Sequence, residues 1–246
     1  MELITVPPRR VLVVTPHPDD AEGGCGGTMA KWIKEAGTEV VVVLCTNGDK
    51  GTSNREIPPP ALAQLREREQ QNASDLLGVK EVVFLSHPDG GLEDNRLFRG
   101  QIVREIRRHQ PDLIMGIDPY RSISHTHRDH RTSGRVAVDA AFSYAWNFRH
   151  FPEQITREGL SAHRVSEALL WGSESPDVFV DISGFVELKA ASLLAHVSQF
   201  PNPTGRAERA REGAAEQGKA AGVPYAEGFR RIRFELDFLA SMFLNS

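Results

Sequence analysis

At 246 residues, 40% of them hydrophobic, the chain is long enough to bury a full core and falls in the range where α/β folds run as one domain, here 1–246. Its formal net charge of -4 is built from interspersed signs, which excludes the basic stripe that a nucleic-acid backbone requires. With only Cys25 and Cys45 present, a disulfide scaffold and a thiolate zinc site are also excluded, so any bound metal must use His and carboxylate ligands.

The amino terminus, MELITVPPRR, lacks the apolar stretch of a signal peptide, and no later run approaches the length that spans a bilayer. A cytoplasmic protein without a membrane partner is expected. Apolar runs rich in β-branched residues then predict strands at Arg10 to Thr15, Glu39 to Cys45, Glu81 to Leu85 and Leu113 to Ile117. None alternates polar with apolar, the pattern of strands buried on both faces. Between them, helical periodicity and stop signals predict helices at Gly27 to Ala36, closed by Gly37, at Ala61 to Leu77, closed by Gly78, and at Phe98 to His109, broken by Pro111.

The second half is less regular. Helices are expected at Thr132 to Trp146 and Gly184 to Ser198, and strands at Glu167 to Leu170 and Val178 to Asp181. The Gly-, Ala- and charge-rich stretch from Pro201 to Pro224 reads either as a solvated helix or as an excursion before Phe229 to Phe234. Alternation of strand and helix implies a Rossmann-like, doubly wound α/β fold with a mainly parallel sheet, helices on both faces, and ligands at the carboxyl ends of the strands.

Chemistry concentrates in two segments. Pro16-His17-Pro18-Asp19-Asp20 directly follows the first buried strand, and its prolines stiffen a turn that carries an imidazole and two carboxylates. Alone, it reads equally well as a turn in which Asp19 caps the next helix and His17 is solvated. The second segment, His125-Thr126-His127-Arg128-Asp129-His130, follows the fourth strand at the same sheet edge and holds three of the nine histidines. If the first and fourth strands are neighbours, the two segments converge on one crevice, and two His with one carboxylate make an open, catalytic type of zinc site. The run Gly23-Gly24-Cys25-Gly26-Gly27 lacks the spacing of a phosphate-binding loop and is better explained by close approach of a helix to the sheet.

Several motifs carry a resemblance: PHPDD, GG-T opening the first helix, TNGDKGT after the second strand, L-x-x-L-R-x-x-E, PDGGL, H-x-D-H-R, HVSQFP and PYAEGF. Together they resemble the LmbE-like, PIG-L superfamily of zinc-dependent de-N-acetylases, in particular its diacetylchitobiose deacetylase and bacillithiol-pathway branch, from about Arg10 to Phe234. The resemblance implies that His17, Asp20 and His130 hold one zinc ion (Zn2+) per chain, with another divalent ion such as Fe2+ able to replace it. It further implies that Asp19 is the general base, His127 the partner of the developing oxyanion, and Asp129 the residue that orients that histidine. Arg66 and Asp89 occupy positions that bind sugar hydroxyls, and His196 is read as a packing residue near the site. The implied substrate is a small N-acetylated amino sugar. Members of the branch form trimers or hexamers, and the aromatic run through Phe142, Tyr144, Trp146, Phe148 and Phe151 would serve either such a contact or the core. One departure stands out, because Arg128 replaces the proline usual in the His-Pro-Asp-His motif. Two rivals are a non-catalytic nucleotide- or sugar-binding module and another metallohydrolase, such as a phosphoesterase.

Overall fold

A computed structural model describes residues 2–234. In chain order the elements are β1 (Glu2–Leu3), β2 (Arg10–Thr15), α1 (Asp20–Ala36), β3 (Glu39–Thr46), α2 (Pro59–Leu77), β4 (Glu81–His87), α3 (Arg96–His109) and β5 (Leu113–Ile117). They continue with α4 (Arg128–Asp139), α5 (Pro152–Thr156), β6 (Glu167–Trp171), β7 (Val178–Asp181), α6 (Val186–Leu194), α7 (Pro203–Ala221) and β8 (Ala226–Arg233). All eight strands join one sheet in the order β1-β7-β8-β6-β5-β2-β3-β4. Every pairing is parallel except those of β8, which runs antiparallel to both β6 and β7.

The unalternating valine runs are explained by helices on both faces. Leu12 and Val14 of β2 pack with α3 and α4, while their neighbours Val11 and Val13 pack with α1, α6 and α7. Each successive side chain therefore enters a different core, and neither face tolerates a polar residue. The expected adjacency of the first and fourth long strands holds, since Val11 to Val14 of β2 pair with Leu113 to Gly116 of β5.

Some boundaries move for identifiable reasons. Helix α1 starts at Asp20 rather than Gly27, so the glycine run lies inside its first turns, with a kink at Cys25. Helix α4 starts at Arg128 rather than Thr132 because His127 caps it, its Nδ1 accepting the Asp129 N–H, and the helix ends in a π turn at Ala140–Tyr144. The ambiguous stretch after Pro201 is the helix α7, capped by Asn202 and closed by Gly222. Of the aromatic run, Phe151 is buried, Phe142 and Tyr144 pack against the same core, and Phe148 is 61% exposed. Among the described residues no helix is long and apolar enough to cross a membrane.

The glycine run serves close packing. A Cβ at Gly24 would lie 2.3 Å from the Trp171 ring, and one at Gly27 would lie 2.6 Å from Ile182. These glycines draw the start of α1 onto β6 and the end of β7. We expect Gly24→Ala to destabilise the fold by about 1–3 kcal/mol, the usual cost of overpacking a filled core. A denaturant midpoint equal to that of the wild type would show that Trp171 yields without cost.

Candidate metal centre

The rim of the sheet is built by short, stiff connections. After β2 the chain turns through Pro16 to Pro18, and both the backbone N–H and the hydroxyl of Thr46, at the end of β3, donate to the Pro16 carbonyl at 3.0 and 2.9 Å. This anchors the turn to the neighbouring strand. Asp19, at the mouth of α1, has φ 93 and ψ -22, a left-handed conformation that a non-glycine residue adopts only at some cost. Its carboxylate makes no capping hydrogen bond, so the turn-and-cap reading of this residue is set aside. The side chain instead lies 3.4 Å from the Arg66 guanidinium.

Three donor atoms from the two signal segments form a compact triangle. His17 Nδ1 lies 3.0 Å from Asp20 Oδ2, His130 Nε2 lies 3.2 Å from the same oxygen, and the two ring nitrogens are 3.3 Å apart. Tetrahedral coordination with bonds of ~2.0–2.1 Å sets neighbouring ligand atoms ~3.3 Å apart, so the donors are spaced and typed for one small divalent cation. His17, His127 and His130 form a wider group whose donor atoms fall within 4.8 Å, as do His17, Asp89 and Asp129. The triangle with Asp20 is the tighter and combines a carboxylate with two imidazoles.

The other ring nitrogen of His17 faces two further carboxylates, Asp89 Oδ1 and Asp129 Oδ2, each at 3.2 Å. The resemblance implies that Asp129 orients His127; here the Asp129 backbone N–H donates to His127 Nδ1, while the carboxylate holds His17. Asp129 is fully buried and also accepts the N–H groups of Gly90 at 2.7 Å and Leu92 at 3.2 Å. It thus ties the PDGGL loop to the base of the site. A carboxylate on the far nitrogen of a histidine ligand fixes its tautomer and strengthens it as a donor.

Asp89, expected on the sugar, is directed at His17, and its backbone is held in turn by the Asp49 carboxylate, at 2.9 Å from the Asp89 nitrogen, and by Lys50, whose amino group donates to the Asp89 carbonyl. Arg66 is 4% exposed, so a solvated helix face is excluded. It donates to the carbonyls of Pro18 at 2.8 Å and Gly48 at 3.1 Å, clamping the PHPDD turn to the TNGDKG turn. His127 stands exposed at the edge of the site, its ring 4.8 Å from that of His17. A cleft of about 450 Å³ opens beside Asp19, Asp20 and His130 and runs along α7 to Trp171 and Arg121.

Negative charge is concentrated here, three carboxylates lying within 3.2 Å of the His17 ring nitrogens. Burial opposes charge on His17, yet hydrogen bonds to Asp129, Asp20 and Asp89 hold its pKa up to about 11. Burial also acts to raise Asp20, but His130 and His17 hold it well below the usual carboxylate range. Asp19 is pushed up to about 7 by burial and by the neighbouring Asp20 charge, with Arg66 opposing.

Comparison with known proteins decides the lineage. The PIG-L family of GlcNAc-PI de-N-acetylases matches residues 12–141, a span that contains both donor segments. A diacetylchitobiose deacetylase from Thermococcus kodakarensis is 34% identical over 226 residues, covering 91% of this chain and 83% of that one. The chain belongs to the PIG-L family. An N,N'-diacetylchitobiose deacetylase structure from Pyrococcus horikoshii, in complex with an inhibitor, matches with a TM-score of 0.86 at 31% identity, covering 93% of this chain and 85% of that one. A 1D-myo-inositol 2-acetamido-2-deoxy-alpha-D-glucopyranoside deacetylase from Kineococcus radiotolerans is 29% identical over 255 residues, covering 78% and 69% of the respective chains.

Within the PIG-L framework the Arg128 departure is absorbed by helix geometry. Arg128 is the exposed first residue of α4, the position where proline is favoured because its missing N–H has no intrahelical partner. With Arg128 the helix starts at this position, and His130 Nε2 stands 3.2 Å from Asp20 Oδ2. His196 packs near the site as expected, and the sequence gives no role to its neighbours Glu22 and Gln70. His196 is fully buried with its Nε2 3.4 Å from Glu22 Oε2, Gln70 donates to Glu22 at 2.7 Å, and the charges of His196 and Glu22 act on Asp19. The HVSQFP and TNGDKGT motifs flagged His196, Asp49 and Lys50, but only contacts across the fold assign them partners.

The pKa pattern has a measurable consequence. A ligand histidine must be neutral, whereas His17 holds its ring proton up to about 11 in the ion-free protein. Cation uptake must therefore expel that proton, and affinity must rise with pH. We expect zinc titrated into metal-free protein near neutral pH to release between about one and two protons per ion, one from His17 and a fraction from Asp19, read by calorimetry in buffers of different ionisation enthalpy. Heats independent of the buffer would remove His17 from the ligand set.

Proposed function

We propose that this chain is a metal-dependent amidohydrolase that removes the acetyl group from an N-acetylglucosamine-type amino sugar, with zinc held by His17, Asp20 and His130. The observation that carries the reading is the triangle of 3.0, 3.2 and 3.3 Å between these donors, with Asp19 lining the same cleft as Asp20 and His130. The deacetylase names of its relatives supply the substrate class. A nucleotide-binding module loses its main support, because the glycines that would cradle a phosphate pack against Trp171 and Ile182.

The bound cation would polarise both the attacking water and the acetyl carbonyl. Asp19 takes the proton of the water as it adds to the carbonyl carbon, then delivers it to the amine as the C–N bond breaks, leaving acetate and the free amino sugar. Asp19 lines the cleft, and a bound dication would bring its pKa down from the ion-free value of about 7, so that it would be ionised as a base near neutral pH. His127, at the exposed edge, donates to the oxyanion that develops on the carbonyl oxygen. Asp129 and Asp89 hold the far nitrogen of His17. Arg66 holds Asp19 and, in the same reading, contributes a donor to the sugar.

Adjacent carboxylates separate the roles. Asp20→Asn should weaken zinc binding, with activity partly restored by added metal, because a neutral amide oxygen is a poorer ligand for a dication. Asp19→Asn should keep zinc near one per chain, while kcat falls by roughly a hundred- to ten-thousand-fold, as for loss of a general base, with KM little changed. Swapped behaviour would exchange the assignments, and wild-type rates in both would end the deacetylase reading.

Arg66 adds a pH signature. Its charge lowers the pKa of Asp19. A general base works ionised, so activity is lost as pH falls through its pKa, and a bound dication places that limb below the ion-free value of about 7. Arg66→Ala should shift the acid limb of the rate profile to higher pH. An unmoved limb with only a raised KM would leave Arg66 in sugar binding alone.

A further inference from the structure

The cleft that leaves the donor triangle is charged in a way that hydrolysis of a neutral sugar does not explain. Its outer wall is one stripe of α7, where Arg206, Arg209, Ala210, Gly213, Ala214 and Gln217 recur at helical spacing and all line the cavity. The small residues in the middle leave room, and arginines stand at the end nearer the start of the helix. Across the cleft Arg121 lies against Gly172, where a Cβ would meet its guanidinium at 2.5 Å.

Among the described residues, Arg121, Arg206 and Arg209 have no ion-pair partner and their side chains donate no hydrogen bond to the protein, and the buried Nε atoms of Arg121 and Arg206 are unpaired. Some arginines are paired, as Arg211 of the same helix is with Glu187 at 2.7 Å, Arg231 with Glu2 at 2.8 Å, and Arg230 with Asp118 at 3.5 Å; others are not, and Arg121, Arg206 and Arg209 are set apart from those by lining one cleft. The remaining charged cleft residues are already committed. Lys189 and Glu227 pair at 2.6 Å, and Glu227 also accepts the N–H groups of Gly27 and Thr28, while Asp19 and Asp20 belong to the metal end. Phe200 packs under the Arg206 guanidinium at 4.8 Å, holding its plane while leaving its N–H groups to the cleft. A chain with a net charge of -4 thus presents three unneutralised guanidiniums beside its candidate metal centre.

We propose that this cleft takes the anionic substituent, carboxylate or phosphate, of an N-acetylated amino sugar, bound by Arg121, Arg206 and Arg209. Guanidinium forks match both oxyanions in a two-point contact that a hydroxyl cannot equal. The cavity of about 450 Å³ has room for a sugar and a small charged group together. The proposal rests on the deacetylase reading and narrows its substrate to an acidic glycoside.

The test compares acetate release from, and calorimetric binding of, N-acetylglucosaminyl malate and an N-acetylglucosaminyl phosphate with the neutral N,N'-diacetylchitobiose, using zinc-loaded wild-type protein and the variant Arg121→Gln/Arg206→Gln/Arg209→Gln. At low salt, kcat/KM and affinity should favour an anionic substrate by about tenfold or more, the effect of one charge-assisted contact or better. That preference should shrink as salt screens it and should collapse toward unity in the triple variant. The better of the two acids identifies the anion. Equal handling of charged and neutral sugars by the wild type, or an equal loss on both in the variant, overturns the anion site while leaving the hydrolase standing. Arginine-dependent, selective binding of the acid without acetate release supports the anion site and refutes the reaction instead.

Discussion

The carboxylate of Asp129, fully buried at the first turn of α4, is the point on which the site depends. One oxygen meets His17 at 3.2 Å and the Gly90 N–H at 2.7 Å, and the other accepts the Leu92 N–H at 3.2 Å. Three loops that leave three different strands are thereby joined by a single charged group. A buried carboxylate is tolerated only when its oxygens are satisfied, so the loops must close around it in one arrangement. The parallel pairing of β2 with β5 makes that closure possible, since it delivers the PHPDD turn and the start of α4 to the same sheet edge.

From that arrangement the electrostatics follow. Asp20, Asp89 and Asp129 all contact His17, and Asp19 lies one residue from Asp20, so negative charge exceeds what one imidazolium neutralises. In the ion-free protein Asp19 is pushed up to about 7, first by burial and then by the Asp20 charge, so one carboxylate of the group is held partly neutral. The strain at Asp19, with φ 93, belongs to the same design. The side chain makes no capping bond to α1 and lies 3.4 Å from Arg66 of α2.

The cleft shows how a peripheral helix shapes a site it does not build. Helix α7 supplies no donor to the metal triangle, yet its stripe of small residues sets the width of the cleft and its two arginines set the charge. The antiparallel strand β8 returns the chain to the sheet and places Glu227 where it neutralises Lys189 and caps a kink in α1 with two N–H bonds. Charge at the wall and neutrality at the base are thus separated within one cavity.

Local chemistry was legible along the chain. Valine runs without alternation imply strands covered on both sides, Gly37 and Gly78 stop α1 and α2 in left-handed caps, and two clusters of His and Asp after buried strands mark the rim where ligands bind. That the PHPDD and HTHRDH segments would meet was readable from residue type and position after buried strands, and the family resemblance singled out His17, Asp20 and His130, whose donor atoms lie 3.0 to 3.3 Å apart. Partnership across the fold was not. Nothing local tells Asp129 to hold His17 rather than His127, places Arg66 in the interior with Asp19, or shows that the glycines of α1 admit Trp171 and Ile182. The same holds for Pro201 to Pro224, whose small and charged residues fit a solvated helix or an irregular loop until a sheet edge gives one face something to line. Spacing along the chain is a one-dimensional quantity, whereas burial, pKa and hydrogen-bond choice depend on which segments the sheet order makes neighbours.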